Sequence, residues 1–115
     1  MVARDYVPDS GDLIWIDFDP HAGREQAGRR PALVLSPAIY NGKSSLAVVC
    51  PITNQIKHYP FELLLPKEVK ISGVVLCDHI KNVDWKVRRA QRAGRVPDEF
   101  LNEVRQYLAP LLGFR

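Results

Sequence analysis

A chain of 115 residues has the length of one domain, and 46% hydrophobic with 25% charged residues supplies a core while arguing against intrinsic disorder. A formal net charge of +3 and a pI near 9.0 suit a polyanionic partner without demanding one. No apolar run is long enough to cross a bilayer, and Met1 to Tyr6 lacks the apolar segment of a secretory signal, so the expected location is the cytoplasm with no membrane partner. Cys50 and Cys77 each lie in an apolar, strand-like run and read as buried, reduced thiols rather than a disulfide.

In chain order, Met1 to Ser10 reads as a loose arm that ends in turn residues at Pro8 to Gly11. Leu13 to Phe18 alternates, with Ile14, Ile16 and Phe18 on one side and Leu13, Trp15 and Asp17 on the other, which predicts a half-buried strand stopped by Pro20. A polar loop, Asp19 to Arg30, separates it from a second apolar run, Ala32 to Leu35. Loops of that length in compact domains are usually functional or mobile. Pro37 to Asn41 fits a single helical turn before the Asn41-Gly42 turn signal. Leu46 to Cys50, closed by Pro51, then Phe61 to Leu65 and Gly73 to Cys77 read as further strands, and Arg88 to Arg95 as an edge strand.

Pro97 to Leu112 is the one extended helix in this reading. Pro97 suits the first helical position, Asp98 and Glu99 complement the positive end of the dipole, and Phe100, Leu101, Val104, Leu108 and Leu111 share a face. Several short strands with one terminal helix predict a single, mainly β domain over residues 1–115, a small twisted antiparallel sheet or partly closed barrel.

Several side chains are candidates for chemistry, each with a plainer alternative. Arg30, where the loop meets the second strand, carries a planar fork of donors that matches phosphate oxygens, or is a solvated loop arginine. Thr53 follows Pro51 at a strand end, where its hydroxyl either donates to a phosphate or bonds its own turn. His79 and His21 titrate near neutrality and suit acid–base work, or are ordinary packed or solvated histidines. Lys86, Arg88, Arg89, Arg92 and Arg95 form the densest positive run; with Trp85 beside it, this stretch either holds phosphates and stacks a base or is a solvated face. Trp15 reads as core or as a subunit contact. The histidines are scattered and no Cys-x-x-Cys or Gly-rich phosphate loop occurs, so no metal site and no cofactor is expected.

Gly11-Asp12, Phe18-Asp19-Pro20, Gly23, Glu25-Gln26, Gly28 and Arg30-Pro31 together resemble the opening of MazF/PemK-type toxins, and further matches extend the resemblance over nearly the whole chain. It is closest to the MazF branch. These are growth-inhibiting endoribonucleases of bacterial toxin–antitoxin pairs, and the resemblance implies an SH3-like barrel working as a homodimer. It also implies a cognate antitoxin, DNA binding only as part of a toxin–antitoxin complex, and sequence-specific cleavage of single-stranded mRNA. The chemistry implied is attack by the ribose 2′-hydroxyl without a metal, leaving a 2′,3′-cyclic phosphate and a 5′-hydroxyl. Arg30 and Thr53 match the family's catalytic arginine and threonine, and Glu25 matches a loop carboxylate that serves as base or holds Arg30. Asp78 matches an acidic residue proposed as base in the PemK branch, but Leu76 stands where that branch has its functional arginine, and His79 where glutamine is common. Arg24, Arg29, Lys57, Trp85, Lys86, Arg88 and Arg89 are the expected RNA contacts. Two other readings are a gyrase-poisoning toxin of the same fold and a non-catalytic RNA- or protein-binding barrel.

Overall fold

The computed structural model describes residues 6–18 and 28–115. Among these, the chain order is β1 (Asp12–Asp17), β2 (Arg29–Val34), α1 (Ala38–Ser44), β3 (Leu46–Thr53), β4 (Glu62–Leu64), β5 (Val74–Leu76), β6 (Lys81–Asp84), β7 (Gln91–Arg95) and α2 (Asp98–Leu111). The seven strands pair antiparallel in the order β4-β5-β3-β2-β1-β7, with β6 also on β3. Because β6 borders β3 and β7 borders β1, the segment joining β6 to β7 bends β7-β1-β2-β3-β6 into a partly closed barrel. The Lys81 ammonium, on β6, lies 5.3 Å from the centre of the Phe18 ring at the end of β1, a contact across the barrel rather than along the sheet.

Alternation on the first three strands feeds two cores. Ile14, Ile16, Ala32, Val34, Ala47 and Val49 point into the barrel and pack with Val83 and Trp85. Leu13, Leu33, Cys50 and Ile52 point the other way, onto β5 and onto Phe100, Leu101, Val104 and Leu108 of α2. The first strand is therefore buried on both faces, not half-buried as its alternation suggested; Trp15, 37% exposed, is its one open position. Each such aliphatic side chain contributes about 1.5–3 kcal/mol when fully buried.

Two prolines expected to bound strands lie inside them. Pro51 pairs with Ala32 on the β2 side, while on the other side β6 has ended at Val49 and β5 begins only at Ile52. Pro31 pairs with Trp15, but β3 accompanies β2 only from Ala32 to Val34. Each proline thus occupies a stretch with one unpaired side, the edge-like setting in which a missing N–H is tolerated.

Other differences have equally local causes. Asn41-Gly42 does not turn the chain, because Asn41 is wholly buried: its Nδ2 donates to the Pro8 and Ser36 carbonyls at 2.8 and 2.9 Å. α1 runs on to end at Ser45, which adopts φ 66°. The second half of the arm is tied down, since the Tyr6 hydroxyl and the Asp9 amide both donate to Asp12 Oδ2, and Asp9 Oδ1 accepts the Ala38 amide at 2.9 Å. Pro97, extended at ψ 152°, is the cap preceding α2 rather than its first residue, and Leu111 is 40% exposed, outside the buried face. β6 was not foreseen, because Lys-Asn-Val-Asp offers a single apolar residue, Val83, and hence no alternation to read.

Both cysteines are free and buried, and burial pushes each thiol up to about 12. The thiolate is the reactive form. Folded protein should therefore react with a disulfide reagent at pH 8 no faster than it opens, and both thiols should react at once in denaturant. Rapid stoichiometric labelling of the native chain would contradict this packing.

Candidate active site

One end of the barrel gathers the polar groups. β1 ends there, β2 begins there, β3 ends there and β6 begins there. Arg30 pairs with Ile16, so it shares the inward face of Ile16 and Ala32 but stands past the last apolar layer, exposed at the mouth. Continuing the Ala32–Pro51 register by two residues sets Arg30 level with Thr53 on the neighbouring strand and on the same face. Among the described residues, no hydrogen bond or ion pair holds the Arg30 guanidinium.

Thr53 Oγ1 accepts the Gln55 amide at 3.1 Å, the local turn bond that threonines favour. That bond uses the oxygen as acceptor and leaves the hydroxyl proton to be donated elsewhere. The position of Thr53 depends on Gly73, whose φ is 122°: a Cβ there would stand 2.4 Å from the Thr53 carbonyl oxygen, so only glycine lets β5 approach this closely. Thr53, Gln55, Lys57, Tyr59, Glu62, Leu76 and His79 line a cleft of about 150 Å³. Glu62 shapes its outer wall by accepting the backbone amides of Lys57 and His58, at 3.0 and 2.8 Å. The Lys57 ammonium sits 6.0 Å from the centre of the Tyr59 ring. Asp78 is exposed, its Oδ1 3.7 Å from His79 Nε2.

The sequence candidates thus separate. Thr53, Lys57 and His79 share a cleft, and Arg30 is level with it on the next strand. Arg24, Glu25 and His21 fall outside the described residues. Arg29 and Arg89 are both held by Asp17, at 3.0 Å from Arg29 Nη1 and 2.8 Å from Arg89 Nε. The hydrogen bonds from Arg89 and then Arg29 keep the Asp17 carboxyl below the usual carboxylate range. Arg88 Nη1 donates to the Asp17 carbonyl at 3.0 Å and to that of Phe18.

The Arg88–Arg95 stretch is not one strand. Asp84 Oδ1 accepts the amides of Lys86 and Val87, folding 84–90 into a turn in which Arg89 takes φ 57°, and only Gln91–Arg95 pairs, at the sheet edge. Trp85 is not a stacking platform. It is 5% exposed within the barrel, with Nε1 donating to the Asn41 carbonyl at 3.0 Å, and Lys86 rests over its ring at 5.6 Å. Sequence reasoning missed Lys81 and Asp17: Lys81 belongs to the unforeseen strand, and Asp17 looked like the polar side of an amphipathic one.

Arg30, Thr53 and the cleft that holds Lys57 thus lie at one rim of a small curled sheet. Residues 9–112 match the family model of the PemK-like, MazF-like toxin of type II toxin–antitoxin systems, and the chain belongs to that family. It is similar to the endoribonuclease toxin MazF of Escherichia coli K12, 48% identical over 113 residues that span 98% of this chain and 100% of that one. The crystal structure of MazF (Form-I) from Deinococcus radiodurans superposes with a TM-score of 0.87 at 55% identity, over 96% of this chain and 100% of that one. A MazE–MazF crystal structure (Form-III) from the same organism gives 0.89 at 52% identity, with the same coverage.

The burial of Trp85 has a measurable consequence. Trp85→Phe keeps a large ring but removes one of the two hydrogen bonds to the Asn41 carbonyl, which retains the Ser45 amide at 3.0 Å. This should lower stability to urea by about 0.5–1.5 kcal/mol while leaving affinity for single-stranded RNA unchanged. A loss of affinity without a loss of stability would return Trp85 to the binding surface.

Proposed function

We propose that this chain is the toxin of a toxin–antitoxin pair, a cytoplasmic endoribonuclease that cleaves single-stranded mRNA at specific sequences and so arrests translation. One feature supports the reading: extending the Ala32–Pro51 register by two residues brings Arg30 level with Thr53 at the rim of the barrel, on the same face. A phosphate between them would meet a guanidinium fork and a hydroxyl donor, the two kinds of group that stabilise a phosphorane. In the step inferred, the ribose 2′-oxygen forms a bond to phosphorus and the bond to the 5′-oxygen breaks. The 2′-hydroxyl proton passes to a base and a proton reaches the departing oxygen, leaving a 2′,3′-cyclic phosphate and a 5′-hydroxyl. Arg30 hardly deprotonates, so its contribution is to the charge on the phosphorane. Glu25, Asp78 and His79 are the candidates for the base.

Lys57 and Lys86, with Arg24, would guide the flanking phosphates, whereas Arg29 and Arg89, expected from the sequence as RNA contacts, are engaged by Asp17. The relatives crystallised with MazE support a cognate antitoxin as partner, and an acidic, extended antitoxin segment would suit this cationic rim. The active form is inferred to be a two-fold homodimer, because a chain this small has limited core and gains from shared surface. Sedimentation at micromolar concentration should give roughly twice the 13.0 kDa chain mass; a strict monomer that still cleaves RNA would refute the dimer. Neither gyrase poisoning nor passive binding requires an arginine and a threonine set this way.

The direct test is electrophoresis of RNA incubated with the purified protein and EDTA, with ends mapped for 5′-hydroxyls. Discrete fragments are expected, and their absence would overturn the reading. Arg30→Ala should reduce cleavage by about a hundredfold or more, with lysine a poor substitute for the fork. Thr53→Val should slow single-turnover cleavage while sparing affinity for a non-cleavable 2′-deoxy substrate. If that variant instead weakens binding and spares the rate, Thr53 positions RNA and does no chemistry.

A further inference from the structure

The most densely connected charge on the rim is Asp17, the last residue of β1. Its Oδ1 accepts Arg29 Nη1 at 3.0 Å, and its Oδ2 accepts Arg89 Nε at 2.8 Å, with Arg89 Nη2 at 3.3 Å from Oδ1. Arg29 Nη2 crosses to the Arg89 carbonyl at 2.6 Å and to the Trp15 carbonyl at 3.2 Å. The backbone joins in, since the Asp17 amide donates to the Arg88 carbonyl at 3.0 Å. One carboxylate therefore clamps three pieces of chain together: the end of β1, the start of β2 and the 84–90 turn. Arg29 is the residue immediately before Arg30.

Resting on the endoribonuclease reading, we propose that Asp17 is a positioning residue that withholds Arg29 and Arg89 from RNA phosphates, so that the scissile phosphate is registered on Arg30. An RNA backbone presents the same charge at every nucleotide, so a rim carrying several equivalent free arginines would bind it in several registers. Only the register with a phosphate between Arg30 and Thr53 can react. Pairing two of the rim's arginines internally removes their claim on the backbone and favours the productive register. The clamp is partly exposed, with 29% of the Asp17 and 70% of the Arg89 side-chain surface open, so it contributes little to global stability. Its value lies in where the RNA sits.

This separates binding from chemistry in opposite directions. Asp17→Asn keeps the shape and removes the charge. With a 2′-deoxy oligonucleotide, which needs no cleavage, affinity should rise, and its dependence on salt should steepen by up to about 0.7 for each arginine released. With cleavable RNA at saturating enzyme, the single-turnover rate should fall about tenfold or more, because bound complexes are misregistered. Asp17→Glu restores the carboxylate and should return the salt slope to that of the wild type and recover much of the rate.

A residue that merely held the fold together would lower both affinity and thermal midpoint, and that result would overturn the proposal. So would Asp17→Asn with an unchanged salt slope, with an unchanged rate, or unable to fold. Wild-type protein that leaves RNA intact would instead refute the endoribonuclease reading, and the salt slopes would still decide whether Asp17 withholds its two arginines.

Discussion

Burial of both faces of β1, β2 and β3 is the constraint on which the rest of this structure depends. A strand with two buried faces needs cover on both, and the chain supplies it twice. The β6 strand and the following turn roll Val83 and Trp85 over one face, and α2 with β4 and β5 covers the other. Because the layers run out at one end of β1–β3, the residues just past the last apolar pair are forced to the rim. Arg30 and Thr53 are those residues, displayed by the same registers that build the core.

The second organising element is a buried amide and hydroxyl pair rather than a hydrophobic contact. Ser36 Oγ donates to Asn41 Oδ1 at 2.6 Å and accepts the Val48 amide at 2.8 Å, while the Asn41 carbonyl takes Trp85 Nε1 at 3.0 Å. No buried side-chain polar atom among the described residues lacks a partner. Fully satisfied networks of this kind specify one arrangement, because any alternative would strand several groups in a low dielectric. Here the network fixes α1, β3, Trp85 and the end of the arm relative to one another, and so fixes the barrel that carries the rim.

Charge is distributed by carboxylates rather than by the net excess of cations. Asp12, buried, takes Arg95 at 3.0 Å with Arg92 at 3.7 Å, and Asp17 takes Arg29 and Arg89. Most of the positive run that dominates the sequence is thereby engaged in joining β7 and the 84–90 turn to β1. Lys57, an expected RNA contact, and Lys81, which the sequence did not single out, stand with Arg30 at the end of the barrel where the cleft lies. A count of basic residues thus measured the supply of arginines and misjudged their use.

The sequence by itself determined the mainly β class, the positions of most strands, the terminal helix and the reduced thiols, because each rests on periodicity or on proline and cysteine chemistry within a few residues. It also singled out Arg30 and Thr53, partly through the order of residues around a polar loop and partly through family resemblance. Tertiary structure alone decided what needs partners distant along the chain. Trp85 looked available beside a basic run until Asn41, 44 residues earlier, was seen to accept its indole N–H. Pro31 and Pro51 looked like strand ends until their unpaired sides were known, and β6 became a strand only because β3 offered it an edge. Asp17 read as the polar side of an amphipathic strand, yet its bond to Arg89 spans 72 residues. Local patterns encode which residues prefer water. Whether an exposed arginine meets a carboxylate or a phosphate is set by where the fold brings its neighbours.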